Sequence, residues 1–217
     1  MRLVVTGFGP FGSIETNSST LAVQSLKKLW DSLLCSSKDI PELIIFPNLE
    51  VSYCAVQNLM PIIWEGEPPD LVIHCGVSSG SSSIALETGA FDGPFCHADV
   101  LGQVCSDSSC GTFTPTALPL ADACTMLNAA GHKCVLSVDP GTYLCDYIYH
   151  MSLQRGPDRT VFVHVPDVSN DLEADDLGEA LLLFIIVLSR LMKLKIPAAL
   201  SDFFDHKFQP LSADSTN

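Results

Sequence analysis

Positive charge is scarce in this chain. Its 217 residues carry 11 Lys+Arg against 25 Asp+Glu, a formal net charge of −14. A nucleic-acid binder must neutralise phosphates with cations, so that class is excluded. Docking on an anionic membrane surface is excluded for the same reason. Long apolar runs are also missing. The longest late run, Ala180 to Leu188, falls well short of the ~20 residues that span a bilayer. The start, Met1-Arg2-Leu3-Val4-Val5-Thr6-Gly7, has too short an apolar stretch for a secretory signal. Paired C-x-x-C knuckles are absent, so Cys96, His97, Cys105 and Cys110 fit no standard zinc pattern. These absences point to a cytoplasmic protein with reduced thiols.

What is present is a core. Hydrophobic residues make up 47% of the chain. Five short apolar stretches read as buried strands: Leu3–Thr6, Leu43–Phe46, Leu71–Cys75, Cys134–Val138 and Val161–Val165. Helical periodicity falls between or after them, over 19–33, 51–64, 117–130, 143–153 and 172–194, with Pro61 expected to bend or end the second. Strand and helix alternate. That order implies an α/β fold: a single-domain three-layer α/β/α sandwich with a largely parallel twisted sheet. The expected domain is 1–205, with 206–217 a disordered tail. Between Glu87 and Pro115, Gly, Cys, Ser and Asp dominate and periodicity is lost, so a long functional loop is expected there.

Gly7-Phe8-Gly9-Pro10-Phe11-Gly12 matches G-x-G-x-x-G after a strand. Pro10 removes an N–H donor, and Phe8 and Phe11 crowd the space a diphosphate needs. The good N-caps, Asn17, Ser18 and Ser19, come too late in the chain. The motif therefore reads as a loop presenting aromatic faces to a small apolar ligand, or as a glycine-rich turn packed into the core.

Cys145 is placed differently from the other cysteines. A strand, a turn through Asp139-Pro140-Gly141-Thr142 and then a helix put it at a helix N-terminus. Partial positive charge and spare N–H groups there stabilise a thiolate or an oxyanion. His164 ends an apolar strand, at the sheet edge where ligands bind in parallel α/β folds. It could act as base to Cys145, although a lone strand-end histidine is more often structural. Glu87 is the one acid in an apolar, small-residue stretch; it reads either as an orienting carboxylate or as a surface glutamate.

These segments together resemble the pyroglutamyl-peptidase I family, cysteine peptidase family C15. The matching motifs are Thr6–Gly12 with Asn17, Gly76-Val77-Ser78 with Leu86-Glu87, Gly141–Asp146, and Phe162–Pro166; the resemblance covers roughly residues 1–192. It implies removal of N-terminal pyroglutamyl residues from peptides through a Cys145–His164–Glu87 triad and a thioester. It further implies that Phe8 and Phe11 hold the lactam ring, with Asn17 and Val77 beside it, and that neither metal nor cofactor takes part. On that reading the partners are peptides with N-terminal pyroglutamate, not nucleic acid or membrane, and activity falls at acidic pH as His164 protonates. Val77 matches animal-type rather than bacterial members, Thr88 stands where bacterial members have arginine, and Pro140 stands where alanine is usual. Pro140 and the 88–114 loop also fit an alternative: a weak or inactive paralogue that binds pyroglutamyl ends. Another cysteine hydrolase, such as an amidase, is a third reading. Oligomeric state stays open.

Overall fold

The computed structural model describes residues 1–37, 39–105, 111–169 and 172–208. In chain order the elements are β1 (Arg2–Phe8), α1 (Ser18–Leu34), β2 (Glu42–Leu49), α2 (Tyr53–Trp64), β3 (Leu71–Val77), β4 (Ile84–Glu87), β5 (Gly89–Phe91), β6 (Phe113–Pro115), α3 (Leu120–Ala129), β7 (Cys134–Ser137), α4 (Leu144–Leu153), β8 (Thr160–Val165), α5 (Ala174–Leu191) and α6 (Ala198–Lys207).

The central sheet has six strands in the order β2-β1-β3-β8-β4-β7. Strands β2, β1, β3 and β8 run parallel. Side chains alternate across this doubly covered sheet. Leu3, Val5, Ile73, Val161 and Val163 face a core shared with α1, α3, α5 and α6. Val4, Val72 and Phe162 face a second core with α2 and α4. The helices fit their layers. In α1, Ala22, Val23, Leu26, Trp30 and Leu34 are buried, while Lys28 and Asp31 turn to solvent. In α5, Leu177 and the run Ala180–Ser189 are all buried, which suits a helix walled in on every side.

Each of the five expected strands lies in this sheet. Helix α2 continues through Pro61 to Trp64 rather than stopping at it. Three departures matter. First, Ile84–Glu87 is a strand that sequence periodicity misses: four residues in a Ser/Gly-rich setting are too few to show a period. Second, β4 pairs antiparallel with β8 and parallel with β7, so the far end of the sheet runs backwards. Third, the expected 88–114 loop contains a small antiparallel β5–β6 pair, and α6 follows α5. Helix α6 continues through Lys207, past the start expected for the tail; the rest of that tail, from 209 onward, lies outside the described residues, as does Cys110. Among the described residues, no helix is long and apolar enough to cross a membrane.

Candidate active site

The glycine-rich loop after β1 is held by the start of α1. Asn17 caps that helix: its Oδ1 accepts from Ser19 N at 3.0 Å and from Ser19 Oγ at 2.8 Å. Its Nδ2 donates to Gly9 O at 3.1 Å. Thr20 Oγ1 donates to Phe8 O at 2.7 Å, and Phe8 N donates to Ser19 Oγ at 3.0 Å. A Cβ on Gly7 would sit 2.8 Å from Ser19 O, so this glycine allows strand and helix to meet backbone to backbone. The helix opens well after the motif and already has its cap, so the loop offers no phosphate cradle.

Phe8 is buried in the α2–α4 core, whereas Phe11 is half-buried beside it. Both line a pocket of about 20 Å³ with Asn17, Val77, Tyr143 and Cys145. That volume is about one water molecule's worth, so a five-membered ring enters only if a wall residue moves. Phe11 and Tyr143 are half-buried wall residues, whereas Phe8 is held in the core. Asn17 spends its carbonyl and one amide hydrogen on the backbone and on Ser19. Its visible part in the site is to fix the Phe8–Phe11 loop.

Cys145 occupies the first turn of α4, whose N-terminus has no side-chain cap. Uncapped N–H groups and the helix dipole favour negative charge there. Tyr53 packs edge-on against both Tyr143 and Tyr147, with ring centroids 6.4 and 5.0 Å away, and so steadies this turn. The chain reaches it by an unexpected route. Ser137, at the end of β7, pairs with Glu87, and Glu87 pairs with Phe162, whereas His164 pairs with Gly76. The thiol lies over Gly76: a Cβ there would be 3.0 Å from Cys145 Sγ and 2.8 Å from Phe162 Cζ. Residues 138–143 therefore travel back along the sheet to deliver Cys145 beside His164. Gly141, at φ +87°, and the bond from Gly141 N to Asp139 Oδ1 at 3.0 Å shape that return.

His164 and Glu87 come from antiparallel neighbours and sit diagonally on one face of the sheet, within reach of each other. His164 Nδ1 lies 2.7 Å from Glu87 Oε1. Glu87 is buried, and its Oε2 has no hydrogen-bond partner. Tyr149 Oη donates to the Glu87 carbonyl at 2.9 Å, fixing the strand end. Burial alone would lower the His164 pKa, but hydrogen bonding and charge from Cys145 and Glu87 outweigh it and raise it to about 10. The imidazole thus holds its proton through neutral pH, which pairs an imidazolium with the sulfur.

One further acid and one further histidine lie outside the cluster. Asp146 is buried next to Cys145 and accepts from Phe91 N at 2.9 Å. Burial, with Asp139, Glu87 and Asp92 nearby, pushes its pKa up to about 7 against that hydrogen bond. His74 sits between Thr6 Oγ1 at 2.9 Å and Ser152 Oγ at 2.8 Å; burial pushes it down to about 3, so it is a neutral core residue. Among the described residues, no group of three or more His, Cys, Asp or Glu could hold a metal ion.

Sequence reasoning singled out Cys145, His164 and Glu87, and the structure brings them into one cluster with Phe8, Phe11, Asn17 and Val77 around the adjoining pocket. It missed the space that Gly76 leaves for the sulfur, the Tyr143 wall and the buried Asp146. Only the place of Gly76 inside a quoted motif hinted at the first.

An α/β/α sandwich that holds a thiol at a helix N-terminus, an imidazole and a buried carboxylate has the parts of a cysteine hydrolase. The family model for pyroglutamyl peptidase matches residues 1–200, so the chain belongs to the pyroglutamyl peptidase family. Similar proteins include Pyroglutamyl-peptidase 1 of Rattus norvegicus, 38% identical over 188 residues that cover 82% of this chain and 85% of the relative. The human Pyroglutamyl-peptidase 1-like protein is 30% identical over 138 residues, covering 62% of this chain and 70% of the relative. Among solved structures, pyroglutamyl peptidase I from Bacillus amyloliquefaciens superposes with a TM-score of 0.71 at 21% identity, covering 91% of this chain and 98% of that one. That likeness bears on the fold alone.

Proposed function

We propose that this chain is a cysteine omega-peptidase that hydrolyses the bond after an N-terminal pyroglutamyl residue. The observation that carries the reading is the Glu87–His164 contact at 2.7 Å, next to a thiol seated over Gly76. Membership of the pyroglutamyl peptidase family supports the substrate class.

The reaction needs no group beyond side chains, the α4 N-terminus and water. Cys145 Sγ attacks the pyroglutamyl carbonyl carbon, and the uncapped N–H groups of α4 receive the oxyanion. The carbon–nitrogen bond breaks as the His164 imidazolium gives its proton to the leaving amine. Water then attacks the thioester, passes a proton to His164 and releases pyroglutamic acid and the thiolate. Glu87 orients the imidazole and stabilises its charge. Phe8, Phe11 and Val77 flank the lactam ring, and Asn17 holds the loop that carries the two aromatics. A neutral lactam calls for no cation in its pocket, in keeping with the acidic chain.

The eight described cysteines are free thiols, which supports a reducing, cytoplasmic setting. A second reading, a weak or inactive paralogue that binds pyroglutamyl ends, draws on Pro140, which stands in the turn that leads to Cys145. Hydrolysis of pyroglutamyl amides by the reduced protein, with binding measured in parallel, decides between them. Tight binding without release of the amine favours the paralogue.

A further inference from the structure

The peptidase reading leaves unused a segment that walls the pocket. Residues 95–105 form a closed turn around one buried carboxylate. Asp99 accepts from Tyr53 N at 3.0 Å, Leu101 N at 2.9 Å and Gln103 N at 2.9 Å, while Asp99 N donates to Gln103 O at 2.8 Å. Phe95 and Cys105 are buried at its two ends. The turn is thereby pinned to the N-terminus of α2 and is more rigid than a free loop.

Two contacts join it to the pocket. Val100 N donates to Val51 O at 3.2 Å, and the His97 ring meets Tyr143 edge-on at 6.3 Å. Val51 and Tyr143 both line the pocket beside Cys145. Yet the tip of this anchored turn is apolar and open to solvent: Val100 is 45% exposed, Leu101 55% and Val104 54%. Exposed apolar groups gathered at the mouth of a site mark a contact surface. The charge pattern narrows the contact further. No lysine or arginine occurs between Lys38 and Lys133, a span that includes α2, β3, Glu87 and this turn. No lysine or arginine of that span is there to pair with an acidic side chain of a peptide.

If the pyroglutamyl ring fills the pocket, the scissile bond lies at Sγ and the rest of the peptide leaves across the pocket mouth. We propose that Val100, Leu101 and Val104 form the contact surface for the residue that follows pyroglutamate, selecting an apolar side chain over an acidic one. The inference rests on the peptidase reading and adds the substrate preference of that same site.

The test compares kcat/KM of the full chain for pyroglutamyl-leucine amide, pyroglutamyl-alanine amide and pyroglutamyl-glutamate amide. One apolar contact is worth about tenfold at the low end of side-chain discrimination. Leucine is expected to exceed alanine by roughly that factor, with glutamate below both. Leu101→Ser and Val100→Ser are exposed changes, and a thermal melt checks that each folds. In both, the leucine-to-alanine ratio is expected to fall toward one. Ile62→Ser, a 60% exposed change elsewhere on α2, is expected to keep the ratio. An unchanged ratio in both turn variants, or no leucine preference in the unmodified chain, overturns the inference while leaving the peptidase reading intact. Failure to cleave any of the three amides overturns the peptidase reading and this inference with it.

Discussion

Gly76 and Cys145 fit together as void and occupant: a Cβ on Gly76 would lie 3.0 Å from Cys145 Sγ, tighter than ordinary contact. The same Cβ would lie 2.8 Å from Phe162 Cζ, so it would press on both side chains at once. Position 76 also pairs with His164 in the β3–β8 ladder. One missing side chain therefore sets how near the thiol comes to the imidazole.

Gly76→Ala is expected to push the sulfur off its seat. Misplacing a reacting group by about 1 Å can cost a hundredfold in rate, and overpacking costs about 1–3 kcal/mol of stability. Steady-state kinetics on a pyroglutamyl amide should show a fall in kcat of that order with KM little changed. A Gly76→Ala enzyme with full kcat would mean that the seat is not what positions the thiol.

The pH profile should fall on the alkaline side. Cys145 and Glu87 raise the His164 pKa to about 10, so the imidazolium that protonates the leaving amine is present below that pH and lost above it. This reverses the expectation from an isolated histidine, whose usual pKa of about 6.5 would put the change on the acid side. Glu87→Gln removes one of the two raising partners, and its alkaline limb should move to lower pH. A limb that already sets in near pH 7 in the unmodified chain, or one that Glu87→Gln leaves in place, contradicts the pairing.

Phe11 is the cleaner probe of the ring slot, because Phe8 is also core. Phe8→Ala should cost about 3–5 kcal/mol of stability, as large core truncations do, and so confounds binding with folding. Phe11→Ala, at a half-buried site, should raise KM for pyroglutamyl substrates by roughly tenfold and leave the melting temperature within a few degrees. An unchanged KM removes Phe11 from the slot.

Asp146 should show its burial in the pH dependence of stability. Its folded pKa is raised to about 7 from 3.8, so the unfolded chain ionises first as pH rises and folding loses stability across that interval. Asp146→Asn keeps an acceptor for Phe91 N and removes the ionisation. The variant should gain on the unmodified chain between pH 4 and pH 7, by an amount on the order of a few kcal/mol. Parallel denaturation curves across that range would contradict the raised pKa.

Much of this architecture is legible in the residues. Branched apolar runs such as Val161–Val165 mark doubly covered strands, and a cysteine just after a turn marks a helix N-terminus. The reversal of β4 and β7 is not legible. Ile84–Glu87 is too short to show a period, and strand direction depends on how residues 138–143 travel, which no local pattern encodes. Glu87 and His164 are 77 positions apart, and only that reversed pairing brings them together. The buried state of Glu87 was equally hidden, since the residue reads as well for a surface glutamate. Gly76 showed as a motif residue, but a void is a property of its neighbours.

The measurement that bears most directly on the account is hydrolysis of a fluorogenic pyroglutamyl amide by the purified, reduced chain, beside Cys145→Ala and a free-glutaminyl amide. The account predicts turnover that needs the closed lactam and falls by roughly four orders of magnitude or more without the thiol, in a variant that melts like its parent. Turnover that survives Cys145→Ala, or a well-folded parent with no turnover at all, would contradict it.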